Sequence, residues 1–197
     1  GLFGYDVASG SGGMSVAQAI SVGTSADGAV TAFQAATIGG QMFYYAAHYL
    51  TGGSTTYEVV NGSATQVDQD GGSSGYQGVD ITDMVHATVG ADSYLFTASI
   101  VQNAVSAYRI AGDGTPQLTG TTGAAQGLGL AAPSALVTAT IAGTTFVVVA
   151  GAGTTSLSVM ELTSGGSLFP TDHVLDGLDT RFQGVTALTS VTAAGQT

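Results

Sequence analysis

Short apolar segments alternate along the whole chain with clusters of glycine, serine and aspartate. The apolar segments are rich in Val, Ile, Thr, Tyr and Phe, which favour β-strands. The segment from Ser156 to Leu162 largely alternates polar and apolar positions, with the period of two that is typical of a half-buried strand. Because the sequence lacks sustained helical periodicity, the pattern predicts an all-β protein with very little helix.

The apolar segments also recur at a fixed interval. Three segments that begin at Phe43, Tyr94 and Phe146 align without gaps, at separations of 51 and 52 residues. A fainter first copy runs from Gly4 to Ser9 and continues to Ile20. Partner strands follow with the same spacing and end in glycine-rich turns that indicate hairpins. The aligned positions in these partner strands are Tyr57, Tyr108 and Met160.

These repeats divide the chain into four units, at about residues 1–40, 41–92, 93–144 and 145–197. About four short strands in a repeat of ~50 residues are typical of one blade of a β-propeller. We therefore predict a single β-propeller domain over residues 1–197, either closed with four blades or a segment of a larger propeller. The segments at Phe43, Tyr94 and Phe146 are interpreted as the inner strands that line the central channel, and Thr197 falls where a fifth such strand would begin.

Charge excludes several classes of partner. The chain has 197 residues, with 2 Lys+Arg against 13 Asp+Glu and a formal net charge of −11. Such a surface offers no electrostatic footprint for nucleic acid and no attraction to an anionic membrane. No apolar run approaches the ~20 residues that a membrane span needs, so we expect no membrane insertion. Cysteine is absent, which excludes disulfides and cysteine-ligated zinc.

The third unit carries a family resemblance. Between Met84 and Leu118 an Ala/Thr strand, a glycine turn, Tyr-Leu-Phe-Thr-Ala-Ser, Val-Ser-Ala-Tyr-Arg-Ile and a Gly-Asp-Gly turn follow in order. This order resembles the repeats of lactonase-like (YVTN-type) β-propellers. It resembles more closely the propeller repeats of secreted hemolysin-type (RTX) calcium-binding proteins of alphaproteobacteria. The resemblance implies a secreted or cell-surface bacterial protein, although the tandem Gly-Gly-x-Gly-x-Asp repeat of the calcium-binding region is absent from this sequence.

Loop carboxylates are the candidate metal ligands. Asp68 and Asp70 flank a glutamine, and Asp80 and Asp83 bracket a dipeptide. Because calcium takes six to eight oxygen ligands and loop aspartates often supply them, these four residues are the candidate Ca²⁺ ligands. They do not recur at equivalent positions of the repeats. The alternative is therefore a solvated acidic turn that keeps the protein soluble.

A polar ring at the channel mouth is the other candidate site. His48 and Ser99 end the segments that are interpreted as inner strands, so they would meet where the channel opens. His48 could change charge near neutral pH. The alternative is a strand-to-turn position that accepts any small or polar residue.

The supposed inner strands supply almost no acids or histidines, which argues against an active site in the channel. The sequence therefore favours a non-catalytic binding, adhesion or assembly module of a secreted or surface-attached bacterial protein, with Ca²⁺ as a possible stabiliser. Its partner would be a protein or a carbohydrate, for which exposed tyrosines are good contacts. Oligomers are expected if the propeller is incomplete. The alternative function is a lactonase-like propeller hydrolase that acts on a cyclic ester.

Overall fold

The computed structural model describes residues 2–7, 14–20, 28–49, 53–61, 63–70 and 80–191. Thr197 and part of the predicted first unit, including Ser9, lie outside the described residues. Apart from a single 3-10 turn at Ala124–Gln126, the regular structure of the described residues is entirely strand. The strands are β1 Leu2–Val7, β2 Met14–Ile20, β3 Val30–Ile38, β4 Gln41–His48, β5 Ser54–Val60, β6 Ser63–Asp70, β7 Ile81–Val89, β8 Asp92–Ser99, β9 Ala104–Ile110, β10 Pro116–Gly123, β11 Pro133–Ile141, β12 Thr144–Gly151, β13 Ser156–Leu162 and β14 Leu168–Leu175.

Twelve of these strands form three four-stranded antiparallel sheets, each in sequential order. We call them blade 2 (β3–β6), blade 3 (β7–β10) and blade 4 (β11–β14), after the sequence units to which they correspond. The strands β1 and β2 pair antiparallel as an N-terminal hairpin. Tight turns with left-handed residues, such as Ala142 and Gly143 (φ 50° and 84°), join the first two strands of a blade. The prediction of an all-β propeller is confirmed.

The blades converge at their first strands, since β7 lies against both β3 and β11. The first strands are therefore nearest to the propeller axis. The segments at Phe43, Tyr94 and Phe146 are the second strands β4, β8 and β12, which pair on both sides inside their sheets. Their interpretation as channel strands is wrong. A strand that is buried on both faces has the most continuous apolar pattern, and that pattern marks the middle of a blade rather than the axis.

A turn from each following blade packs on an aromatic ring of the blade before it. The Tyr45 hydroxyl donates a buried hydrogen bond of 2.9 Å to the Gly114 carbonyl in the β9–β10 turn. A Cβ atom at Gly114, whose φ is +86°, would collide with the Phe43 ring. The next pair repeats this arrangement 52 residues later, because a Cβ at Gly166 (φ +83°) would lie 3.1 Å from the Tyr94 ring. Only glycine allows this close approach in a left-handed conformation.

A hydroxyl at the start of the first strand also links neighbouring blades. A β-bulge at this point leaves Thr82 in blade 3 and Ser134 in blade 4 without a partner in the register. The Thr82 hydroxyl donates to the Pro133 carbonyl of the next blade at 2.7 Å. The Ser134 hydroxyl likewise donates to the Val185 carbonyl at 2.5 Å. No helix among the described residues is long and apolar enough to cross a membrane.

Candidate functional site

The structure separates the four carboxylates that the sequence suggests as calcium ligands. Asp68 and Asp70 lie on β6, the outer strand of blade 2. Asp80 lies in a left-handed turn (φ 51°), and its carbonyl accepts a hydrogen bond from the Ile100 N–H. Within the described ranges, no group of three or more Asp, Glu or His side chains converges as a metal site. Calcium binding at these residues stays a prediction.

Asp83 instead joins two blades. One carboxylate oxygen accepts a hydrogen bond of 2.8 Å from the Met84 N–H. The other accepts one of 2.6 Å from the Leu136 N–H on β11. The carboxylate therefore satisfies two backbone donors near the axis, where a buried N–H without a partner would be costly. Neither Ala32 nor Ala135, at the equivalent positions, can form this link.

His48 and Ser99 end the second strands, as the alignment predicts, but both are inside the protein. His48 is 2% exposed and Ser99 is 1% exposed. The Ser99 hydroxyl accepts a hydrogen bond of 3.2 Å from the Gln102 N–H and so shapes the turn that follows. A binding role for either residue stays a prediction, and the structure places neither of them on an open surface.

A cleft lies between blades 2 and 3, at the opposite end of the strands from His48 and Ser99. It has a volume of about 560 Å³, which is within the range of small-ligand sites. Blade 2 contributes the β3–β4 turn, and blade 3 contributes the turns around Ala91 and Ala111. The polar side chains that line it are Thr37, Thr88, Asp92, Ser93, Arg109 and Gln117.

Arg109 brings the positive charge to this cleft. It is on β9 in the position that Glu58 and Glu161 hold in the other blades. Its guanidinium forms an ion pair with Asp92, and the hydrogen bond to that carboxylate raises the pKa of Arg109. The side chain remains 56% exposed. Several of the five guanidinium donors therefore remain available to hydroxyl or carbonyl oxygens of a ligand.

His86 is on the first strand of blade 3, outside the lining of this cleft and on the opposite face of the sheet from Arg109. Because side chains alternate along a strand, His86 is on the same face of β7 as Thr88, about 7 Å farther from the cleft mouth. Its Nε2 atom is buried and has no hydrogen-bond partner among the described residues. Burial lowers the pKa of His86, so the imidazole is neutral near pH 7.

Sequence reasoning notices Arg109 as an exception in the repeat, because it replaces a glutamate of the other blades. This break in the repeat pattern is the signal in the sequence that could have pointed to the cleft.

Comparison with known proteins supports the fold. No protein-family model and no curated protein sequence matches the chain. It resembles the crystal structure of a protein from Bacteroides uniformis that is provisionally named a 6-phosphogluconolactonase, with a TM-score of 0.63 and 12% identity over 88% of this chain and 48% of that one. A protein from Bacteroides fragilis with the same provisional name gives 0.59 and 14%, over 76% and 39%. The periplasmic gluconolactonase of Pseudomonas aeruginosa gives 0.52 and 18%, over 68% and 37%.

The chain thus spans less than half the length of these three proteins. Their names favour the lactonase alternative, so the prediction of a non-catalytic binding or adhesion module is corrected. That prediction depended on strands β4, β8 and β12 lining the channel. The strands nearest to the axis are β3, β7 and β11, and they include Asp83 and His86.

Proposed function

We propose that this chain is part of a lactonase-like propeller hydrolase that opens an uncharged cyclic ester of a sugar acid. The observation that carries the proposal is the cleft between blades 2 and 3, which is lined by the exposed guanidinium of Arg109. Further support comes from a fold that is shared with proteins named for lactone hydrolysis.

In this proposal Arg109 is the electrophilic group, and a water oxygen adds to the lactone carbonyl carbon. The Arg109 guanidinium donates hydrogen bonds to the carbonyl oxygen as negative charge develops there. The ring C–O bond then breaks, and the proton lost by the attacking water passes to the departing oxygen. The product is an open-chain hydroxy acid, and no further reactant is needed.

The charge of the chain argues for an uncharged substrate. Its net charge is −11, and Arg109 already pairs with Asp92 at the cleft. A phosphate group carries almost two negative charges at neutral pH and would need free cations to replace its hydration. The proposal therefore departs from the phosphorylated substrate in the names of two structural neighbours.

The test is hydrolysis of glucono-1,5-lactone by the 197-residue chain, followed by acid release in a pH-stat and corrected for spontaneous hydrolysis. We expect Arg109→Gln to lower kcat by about 10²–10³-fold, the usual cost of removing one donor to a developing oxyanion. Arg181→Gln, which alters the other cation of the chain, is the matched control and should leave kcat unchanged.

The charge of the substrate gives a second readout. The 6-phosphorylated lactone should be a poorer substrate than the uncharged one, and more so at low salt. A folded chain that does not accelerate hydrolysis would overturn the proposal, as would Arg109→Gln and Arg181→Gln variants of equal activity.

A further inference from the structure

The end of blade 3 at the cleft carries charges that differ from those of the other blades. Asp92 begins β8 and Arg109 lies on β9, and the two side chains form an ion pair. At the position of Asp92, blades 2 and 4 have Gln41 and Thr144. At the position of Arg109 they have glutamates. Blade 3 thus combines a cation and an anion where its neighbours place an acid beside an uncharged side chain.

Gln117 adds an amide to this ion pair from the outer strand of blade 3. It pairs directly with Arg109 in the register of β9 and β10, so the two side chains lie on the same face of the sheet. Both are exposed, and both line the cleft. The corresponding residues of blades 2 and 4 are Thr65 and Phe169. The cleft therefore receives a carboxylate, a guanidinium and an amide from three adjacent strands.

These three groups provide both hydrogen-bond donors and acceptors. The guanidinium only donates, the ionised carboxylate only accepts, and the amide does both. The ion pair uses one oxygen of Asp92, whose side chain remains 41% exposed, so the second oxygen can accept a hydrogen bond from a ligand. A hydroxyl group both donates and accepts hydrogen bonds. A ligand with several neighbouring hydroxyl groups therefore matches the set.

The apolar part of the cleft fits a ring that carries such hydroxyl groups. Its apolar lining comes from both blades, from Ile38, Ala91, Ile110 and Ala111. The C–H groups of a pyranose ring are apolar, and small-ligand sites commonly combine apolar walls with a few polar groups that fix the orientation of the ligand. The ion pair between Arg109 and Asp92 has no net charge, so it gives a charged ring no advantage over a neutral one.

We propose that the cleft binds the hydroxyl groups of a neutral pyranose ring, and that Asp92 and Gln117 select for these hydroxyl groups. The inference rests on the proposed function, because the ring is the sugar part of the cyclic ester. Asp92 is then a specificity-determining residue that contacts the substrate with one oxygen and Arg109 with the other. Arg109 keeps its separate role at the ester carbonyl.

A ring that cannot react tests this proposal without hydrolysis. 1,5-Anhydro-D-glucitol has the pyranose ring and its hydroxyl groups but no carbonyl group. We expect it to bind the chain in a calorimetric or NMR titration, whereas tetrahydropyran, the same ring without hydroxyl groups, should not bind. Asp92→Ala should weaken this binding at least about tenfold, as the loss of a hydrogen bond to a charged group does. Asp179→Ala, which removes an exposed carboxylate outside the cleft, is the matched control.

Two lactones separate contact with the hydroxyl groups from the positioning of Arg109. δ-Valerolactone has the six-membered lactone ring without hydroxyl groups. Asp92→Ala should therefore lower kcat/KM for glucono-1,5-lactone at least about tenfold more than for δ-valerolactone. Gln117→Ala should change this ratio in the same direction, and Gln66→Ala, on the exposed outer strand of blade 2, should not. If Asp92 acted only by holding Arg109, its loss would lower both values equally.

The two experiments distinguish this inference from the proposed function. If 1,5-anhydro-D-glucitol binds, Asp92→Ala weakens its binding and neither lactone is hydrolysed, the proposed function alone is overturned. If both lactones are hydrolysed at a ratio that neither Asp92→Ala nor Gln117→Ala changes, this inference alone is overturned. It is also overturned if the natural chain does not bind 1,5-anhydro-D-glucitol. Circular dichroism checks that every variant is folded.

Discussion

Blades 3 and 4 present the same face toward the next repeat, but only the face of blade 3 is covered by a further complete blade. Phe96 and Val148 occupy the same position of the second strand; the former is 0% exposed and the latter half-buried. Tyr94 has the β13–β14 turn against its ring, whereas in the described residues no turn glycine packs on Phe146.

The difference shows that a single blade of this protein cannot bury its own two faces and depends for its stability on a neighbouring blade at each of them. Each sheet buries one face against the blade before it and the other against the blade after it, as the two apolar clusters on either side of blade 3 show. A repeat array is stabilised mainly by such nearest-neighbour contacts. The free energy of unfolding should therefore respond strongly to changes on the covered faces and weakly to the same changes on the face of blade 4.

The largest difference in the free energy of unfolding should appear between two single variants, each of which removes one aromatic ring, from the face of blade 3 or from that of blade 4. Phe96→Ala leaves a cavity in a fully buried cluster and should lower the free energy of unfolding by about 3–5 kcal/mol. Phe146→Ala, on the half-buried face, should cost roughly a third of that. Urea denaturation monitored by circular dichroism measures both. Equal losses would mean that blade 4 is as well covered as blade 3.

A smaller loss of stability is expected at Gly114, where the β9–β10 turn packs on the ring of Phe43. Gly114→Ala would place a methyl group against Phe43 in a left-handed conformation, so the turn must move and uncover the ring. We expect a loss of about 2–3 kcal/mol, from the strained φ and the lost contact together. Gly143→Ala is the control, because Gly143 has a similar φ (+84°) and open space around it. If both variants lose about 1 kcal/mol, the backbone strain alone explains the cost and the ring contact contributes nothing.

The sequence is sufficient for the fold but only partly for the site. Strand alternation and the spacing of Phe43, Tyr94 and Phe146 predict the blades, because both depend on local pattern and on repetition. The radial order of the strands is not local. It depends on which strands of different blades meet, and the most apolar strands turn out to be second rather than first. The cleft with Arg109 was missed for that reason, since its lining comes from two blades that meet only because β7 lies against β3.

The smallest effect should come from one hydroxyl group. Tyr45 holds the position of Val148, and Tyr45→Phe gives blade 2 an apolar residue there while leaving the Gly114 carbonyl without its partner. The loss should be about 1–2 kcal/mol at neutral pH, and Tyr49→Phe, on a side chain that is 60% exposed, should lose almost nothing.

The pH dependence of the free energy of unfolding separates the contribution of the Tyr45 hydroxyl from that of its aromatic ring. Burial raises the pKa of Tyr45 well above its usual value of 10.0, with the nearby Asp113 carboxylate adding to the shift. The folded state therefore binds the phenol proton more tightly than the unfolded state, so the stabilisation is complete below pH 10 and is lost as the pH rises above it. Tyr45→Phe removes this dependence, and its free energy of unfolding should fall less steeply than that of the natural chain between pH 10 and 12 in urea titrations. Parallel curves for the two proteins would show that Tyr45 ionises as freely as an exposed tyrosine. The face of blade 2 would then be no better shielded from water than the face of blade 4.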